Sequence, residues 1–213
     1  MRSSSFLIIF VATLKRIGIM IITIARQCGC GALEVGEILA KRYGVPLYTR
    51  KSLQMAARKK GLLDEMEDFF EERPVDELMS SITFSFERDE VQEKFCRAFR
   101  KVVGEGDCIL IGRCGNFIFR DREDLVSVFL HGDENARITH IVDTENMKRT
   151  EAEDFVRGTD EKRISYHKFY SGWSWGNAPD YDLCIDVCRL GAENTATLIE
   201  EYIRRLPDTP KAL

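Results

Sequence analysis

Apolar residues along this chain change their spacing several times, and each change predicts an element. Met20–Ala25 is a nearly continuous apolar run, the pattern of a strand buried on both faces. From about Ala32 to Tyr43 the spacing turns helical, with Leu33, Gly36, Leu39 and Ala40 along one stripe and Gly44 as the stop. Val45–Tyr48 then begins a second strand. Residues 50–104 are charged and helical in period, with a break at Pro74. Asp107–Ile111 and Leu125–Leu130 read as two further buried strands, with a short helix over Arg113–Arg120 between them. Glu134–Arg163 reads as helix, interrupted near Val142–Lys148 and again at Gly158. A last strand over Tyr181–Val187 and an amphipathic helix over Ala192–Arg205 close the pattern. Strands alternating with helices predict right-handed crossovers, and hence an α/β fold with a parallel sheet covered on both faces. No internal repeat or linker divides residues 20–206, which are expected to form one domain followed by a tail over 207–213.

Composition narrows the function classes. The 213 residues are 44% hydrophobic and 31% charged, the balance of a soluble globular domain. A net charge of −4 provides no basic field, so neither nucleic acid nor an anionic membrane is an expected partner. A local cationic pocket for a small phosphorylated substrate remains compatible with it. The seven cysteines are odd in number, and several lie in apolar runs such as Cys108-Ile-Leu-Ile, which fits a reducing cytoplasm better than a disulfide framework. Cys28-x-Cys30 and Cys184-x-x-x-Cys188 lack the two-residue ligand spacing and an accompanying His cluster, so they read as structural thiols rather than metal ligands. Phe6–Leu14 is apolar but falls short of the about 18 residues that span a bilayer. Lys15-Arg16-Ile17 is not a small-residue cleavage site. Residues 1–19 are expected to be an upstream extension, such as a misplaced start would add; a peripheral helix or edge element is the alternative.

The candidate chemistry lies where the first strand meets the first helix. Glycines there let backbone N–H groups curl around phosphate oxygens, and the helix N-terminus adds its positive end. The segment Ile22-Thr23-Ile24-Ala25-Arg26-Gln27-Cys28-Gly29-Cys30-Gly31 has that layout. Alone it is a weak signal, because a Gly-x-Gly turn also simply joins strand to helix. The full phosphate-loop pattern, G-x-x-x-x-G-K-S/T, is absent.

With further segments added, the chain resembles the cytidylate-kinase-like family, whose loop typically reads S-R-E-F/Y-G-S-G-G-R. Those segments are Gly44-Val45-Pro46-Leu47-Tyr48, Ile111-Gly112-Arg113-Cys114, Asp160-Glu161-Lys162-Arg163-Ile164-Ser165-Tyr166, Trp175-Gly176 and Tyr181-Asp182-Leu183. The ordered set covers nearly everything from Met20 to Arg205. The resemblance implies a three-layer P-loop nucleotide-kinase-like fold of about five parallel strands. It also implies a helical acceptor-binding insertion over about 50–104 and a lid over about 144–180. The implied reaction is transfer of the γ-phosphoryl group of ATP, with Mg2+, to a nucleoside monophosphate such as CMP. Arg26, Gly29, Cys30, Gly31, Ala32, Leu33 and Glu34 would then hold the ATP phosphates. Arg113 would bind the acceptor, and Asp160 with Arg163, three apart on one helix face, would touch its base and phosphate. Arg137 and Arg157 are candidate lid cations whose default reading is a solvated surface charge. Tyr166, Phe169, Tyr170, Trp173 and Trp175 are expected to pack the lid on the body rather than stack on a base.

The sequence also departs from that family. Ala32 and Glu34 occupy the Lys and Ser/Thr places of a standard loop, and Leu33 replaces the family's Arg. Thr49 stands where a carboxylate is usual, and Cys114 where cytidylate kinases carry Asp. Two other readings therefore stand beside the first: a degenerate, kinase-like nucleotide-binding or regulatory module, and a kinase for another small molecule. A homodimer is an open option for either.

Overall fold

The first strand, β1 (Ile21–Arg26), becomes the centre of the sheet because its apolar run can bury both faces. The computed structural model describes residues 20–70 and 86–207. Within them β1 pairs on one side with β3 (Cys108–Ile111) and on the other with β4 (Leu125–His131). The two-residue β2 (Leu47–Tyr48) flanks β3, and β5 (Leu183–Asp186) flanks β4. The order is β2-β3-β1-β4-β5 and every pairing is parallel.

Alternation along the strands sorts two cores. Ile22 and Ile24 of β1, Ile109 and Ile111 of β3, and Val126 and Val128 of β4 face one layer. That layer consists of α1 (Ala32–Tyr43) and α9 (Ala192–Arg205), which contribute Val35, Leu39, Ile199 and Ile203. Arg42 of α1 forms ion pairs with Glu193 and Glu200 of α9 and ties the two helices together. Ile21, Cys108, Leu110 and Leu125 point the other way. There they meet α2 (Arg50–Lys59), α3 (Leu63–Phe70), α4 (Phe86–Val103) and α5 (Gly115–Ile118). After β4 come α6 (Glu134–Glu145) and the long α7 (Arg149–Ser171), then a 3-10 turn (Ala178–Asp180) and, past β5, the short α8 (Val187–Leu190). The far end of α7 inserts Tyr166 and Tyr170 among the aromatics of α3 and α4, with Tyr170 stacked on Phe95 at 4.3 Å between ring centroids. Trp173 and Trp175 likewise stand edge-on to Phe117 and Phe129 of the body, the packing role expected of these rings.

Three expectations need correction. The buried stripe of α1 is Ala32, Val35, Gly36 and Leu39, whereas Leu33 is 51% exposed. Gly158 does not interrupt α7, which runs unbroken from Arg149. Ala152 and Val156 bury against Ile138 and Ile141 of α6, and that packing offsets the roughly 1 kcal/mol a helical glycine costs. β2 and β5 are also shorter than the runs that predict them, since Val45 and Tyr181 stand outside the ladder. The predicted break between α6 and α7 does occur, at Asn146 with φ of 53°. The expectations for residues 1–19, Pro74 and the tail beyond Pro207 lie outside the described residues.

The buried end of α7 makes one stability prediction. His167 is 3% exposed, and burial pushes its imidazole down to about 4, against a smaller upward pull from Asp180. The unfolded chain therefore binds a proton that the folded chain refuses. Stability is unaffected above the unfolded value of 6.5 and is lost as the pH falls from there toward 4, at about 1.4 kcal/mol per pH unit. Urea denaturation from pH 7 to 4.5 should show this slope. His167→Gln should flatten it.

Candidate active site at the carboxyl edge of the sheet

β1 sends its crossover to α1 on one face of the sheet, whereas its neighbour β3 leads into α5 on the other. Ligands in open α/β sheets bind outside the carboxyl ends of the strands at such a switch. The loop after β1 is pinned there by backbone. Gly112 N–H donates to the Ile24 carbonyl at 2.9 Å and Gln27 N–H to the Leu130 carbonyl at 2.9 Å. The Gln27 Oε1 accepts from Gly132 N–H at 3.1 Å. Gly29 has φ of +80°, and a Cβ there would collide with the Arg137 carbonyl, whose carbon would stand only 2.9 Å away. Gly31, with φ of 55°, is the N-cap of α1 and offers no side chain to its N–H groups. No side chain of the N-cap residue therefore satisfies the N–H groups of the first turn of α1.

The side chains of the loop itself do not face outward as a phosphate clamp would. Cys28 and Cys30 are 4% and 3% exposed, and burial pushes both thiols up, that of Cys30 to about 12. Ala32 is buried, while Leu33 and Glu34 are exposed. Cys28 to Glu34 thus present no cationic side chain, and Glu34 is their one carboxylate.

Arginines gather around the loop. The Arg26 guanidinium lies across Gly112, where any Cβ would collide with it. Gly112, Arg113 and Cys114 all have positive φ, at 75°, 56° and 54°. Two consecutive non-glycine residues in this region are strained, and such strain clusters at ligand sites. It turns Arg113 inward, where it is 6% exposed. Its Nη1 donates to the Phe70 carbonyl at 3.2 Å, and its guanidinium stands 5.2 Å from the centre of the Tyr166 ring. Arg163 reaches from α7 to the Arg26 carbonyl at 3.3 Å, and its buried Nε has no hydrogen-bond partner among the described residues. The candidate cations Arg26, Arg113 and Arg163 thus meet at one edge of the sheet.

Asp160 is placed differently from the expected base contact. Its Oδ1 accepts the Cys28 backbone N–H at 2.7 Å and its Oδ2 accepts from Arg137 Nη1 at 2.8 Å, while Arg163 stands 3.7 Å away. Arg137 is not the surface charge expected of it. It is 6% exposed and also donates to the carbonyls of Cys28 at 3.0 Å and Gly132 at 3.1 Å. The Arg137–Asp160 pair therefore fastens α6 and α7 to the loop after β1. Removing either partner strands a buried charge, which costs about 3–5 kcal/mol. Arg157 does follow expectation: it is exposed and pairs with Glu134 at 2.8 Å. Thr49, in place of the family's carboxylate, caps α2 through a capping box with Ser52.

A cleft of about 300 Å³ opens on the insertion, lined by Lys51, Gln54, Met55 and Arg58 of α2 with Leu63 and Phe70 of α3. Sequence reasoning missed it, although Lys51, Gln54, Met55 and Arg58 share one helical face by spacing. Among the described residues no group of three or more His, Cys, Asp or Glu side chains could hold a metal ion. None of their helices is long and apolar enough to cross a membrane.

Comparison with known proteins bears on the family and the fold. The cytidylate kinase-like family pattern matches residues 21–189, and no curated protein matches the chain. A crystal structure of an uncharacterized protein from Eubacterium ventriosum ATCC 27560 shares 24% identity at a TM-score of 0.67, covering 88% of this chain and 99% of that one. Weaker likenesses include shikimate kinase from Bacteroides thetaiotaomicron (15% identity, TM-score 0.48, 87% and 99% coverage) and a gluconokinase from Sinorhizobium meliloti 1021 (16%, 0.44, 88% and 98%). With a family match across most of its length and the matching five-stranded parallel sheet, this chain belongs to the cytidylate kinase-like family.

Proposed function

We propose that the protein transfers the γ-phosphoryl group of ATP to an anionic small molecule, with a nucleoside monophosphate such as CMP as the first candidate acceptor. The observation that carries this reading is the meeting of Arg26, Arg113 and Arg163 beside a glycine loop that leads into an uncapped helix N-terminus. Phosphoryl transfer asks mainly for in-line positioning and for cations around the transferring oxygens, and both are supplied by groups of this kind. The loop N–H groups of residues 29–33 would hold the donor phosphates, while Arg113 and Arg163 would neutralise charge between donor and acceptor. Lys51 and Arg58 in the insertion cleft support an acceptor that is itself anionic. Magnesium commonly binds through one or two carboxylates and the phosphates themselves. Glu34, exposed in the first turn of α1, is the loop's own carboxylate for that purpose.

One observation favours a second reading, a nucleotide-binding module with little turnover. The Asp160 carboxylate already takes the Cys28 N–H, and no lysine stands at Ala32 or arginine at Leu33. A thermal-shift panel separates the two. A ligand at 100 times its Kd stabilises by about 2.7 kcal/mol, a rise of roughly 5–10 °C for a domain of this size. A kinase for nucleoside monophosphates should shift with ADP and with at least one monophosphate. A binding module should shift with nucleotide yet form no diphosphate product. Shifts with ATP but with no monophosphate would move the acceptor to another class, and no shift with any nucleotide would remove both readings.

A further inference from the structure

We propose that Asp160 is an internal competitor of phosphate, a carboxylate that takes an oxyanion position of the loop in the free protein and withdraws when phosphate binds. This deepens the phosphoryl-transfer reading above and rests on it. Asp160 stands 132 positions from Cys28 in sequence, yet its Oδ1 accepts the Cys28 backbone N–H at 2.7 Å and its Oδ2 accepts from Arg137 Nη1 at 2.8 Å. A backbone N–H and a guanidinium N–H that converge on the two oxygens of one anion are donors that a phosphoryl group also takes. Neither donor depends on Asp160 for its place. Arg137 also donates to the carbonyls of Cys28 at 3.0 Å and Gly132 at 3.1 Å, and the N–H of Gln27, just before Cys28, is held by the Leu130 carbonyl at 2.9 Å. Both donors therefore stay in position when the carboxylate leaves.

The charge balance favours an exchange over a fixed strut. Arg163 stands 3.7 Å from the same carboxylate, so two guanidinium groups face one negative charge. The buried Arg163 Nε adds a donor with no hydrogen-bond partner among the described residues. A phosphoryl group carries more negative charge and more acceptor oxygens than a carboxylate, and it matches two arginines better. The two anions cannot share the position, because like charges at hydrogen-bonding separation repel in a partly buried site. Asp160 sits in the middle of α7, which packs on α6 through Val156 and on α3 through the Tyr166 hydroxyl. Its withdrawal unties that helix from Cys28, so phosphate binding and the seating of α7 on the loop are coupled. The apparent affinity of the loop is then scaled by the fraction of molecules in which Asp160 has withdrawn.

The test is titration calorimetry of inorganic tripolyphosphate into the purified full chain and into Asp160→Asn. The asparagine keeps an oxygen for the Cys28 N–H but drops the charge that excludes phosphate. Asp160→Asn should bind at least about 10-fold more tightly, the gain expected when a site open about one-tenth of the time is opened fully. Glu161→Gln, which removes the exposed neighbouring carboxylate, should stay within about 2-fold of the parent chain, because salt screens an exposed charge. Should Asp160→Asn fail to fold, amide hydrogen exchange of the parent chain decides. Tripolyphosphate should slow the amides of residues 28–33 and speed those of α7 around residues 156–163. Equal or weaker binding by Asp160→Asn, an equal gain in Glu161→Gln, or α7 exchange that does not rise would overturn the competition, and so would binding by neither chain. None of these readouts needs an acceptor or turnover. Equal affinities would remove the competition and leave the kinase reading, whereas a gain in affinity without diphosphate product would do the reverse.

Discussion

Arg113→Ala is expected to lower kcat/KM for phosphoryl transfer by about 10³-fold or more, the scale on which one arginine stabilises this transition state. The residue sits where β3 ends, in a strained Gly112–Cys114 turn that turns its guanidinium inward. Its bonds to the Phe70 carbonyl and the Tyr166 face mean that truncation also unsettles the insertion. Arg113→Lys separates the two effects. A lysine keeps the charge but loses the planar fork that spans a carbonyl and a phosphate. It should retain most of the stability and still lose most of the rate. Steady-state kinetics beside urea denaturation of both variants would check this; equal rates in Arg113→Ala and the parent chain would remove Arg113 from the chemistry.

Gly29→Ala is expected to cost stability by about 2–4 kcal/mol, through positive φ and overpacking together. Its φ is +80°, and the added methyl would press on the Arg137 carbonyl, which is backbone and cannot step aside. Gly44 provides the control. It too has positive φ, at +69°, but none of the described residues comes within 4 Å of its Cβ position. Gly44→Ala should therefore cost only about 1 kcal/mol, the conformational part alone. Urea midpoints of the two variants isolate the steric part. Similar losses for both would mean that α6 does not press on the loop in solution.

Much of this architecture was legible in the sequence because burial on both faces leaves a strong mark. The run from Met20 to Ala25 could be little other than a central strand, and Gly29 and Gly31 before a helical stripe placed the turn. The family segments extended that reading across the chain. What stayed hidden was the direction of individual side chains. Leu33 looked like part of the α1 stripe, yet Val35 fills that position and Leu33 faces solvent. Arg137 looked like a solvated charge because isolated arginines on helices usually are. The contrary signal was present: Arg137 stands four positions before Ile141 on one helical face, and a charge beside a buried apolar residue needs a partner. That partner is Asp160, whose expected role was a contact with acceptor rather than with the loop. Spacing revealed that Asp160 and Arg163 share a face, but only the fold shows that the face meets Cys28.

The central claim is that this loop, without lysine or arginine at Ala32 or Leu33, still supports phosphoryl transfer. The most direct measurement incubates the purified chain with γ-labelled ATP, magnesium and each nucleoside monophosphate in turn, then separates the products. The account predicts labelled diphosphate from at least one monophosphate, CMP first, at a rate that collapses in Arg113→Ala. No labelled product above the protein-free blank with any monophosphate would contradict it.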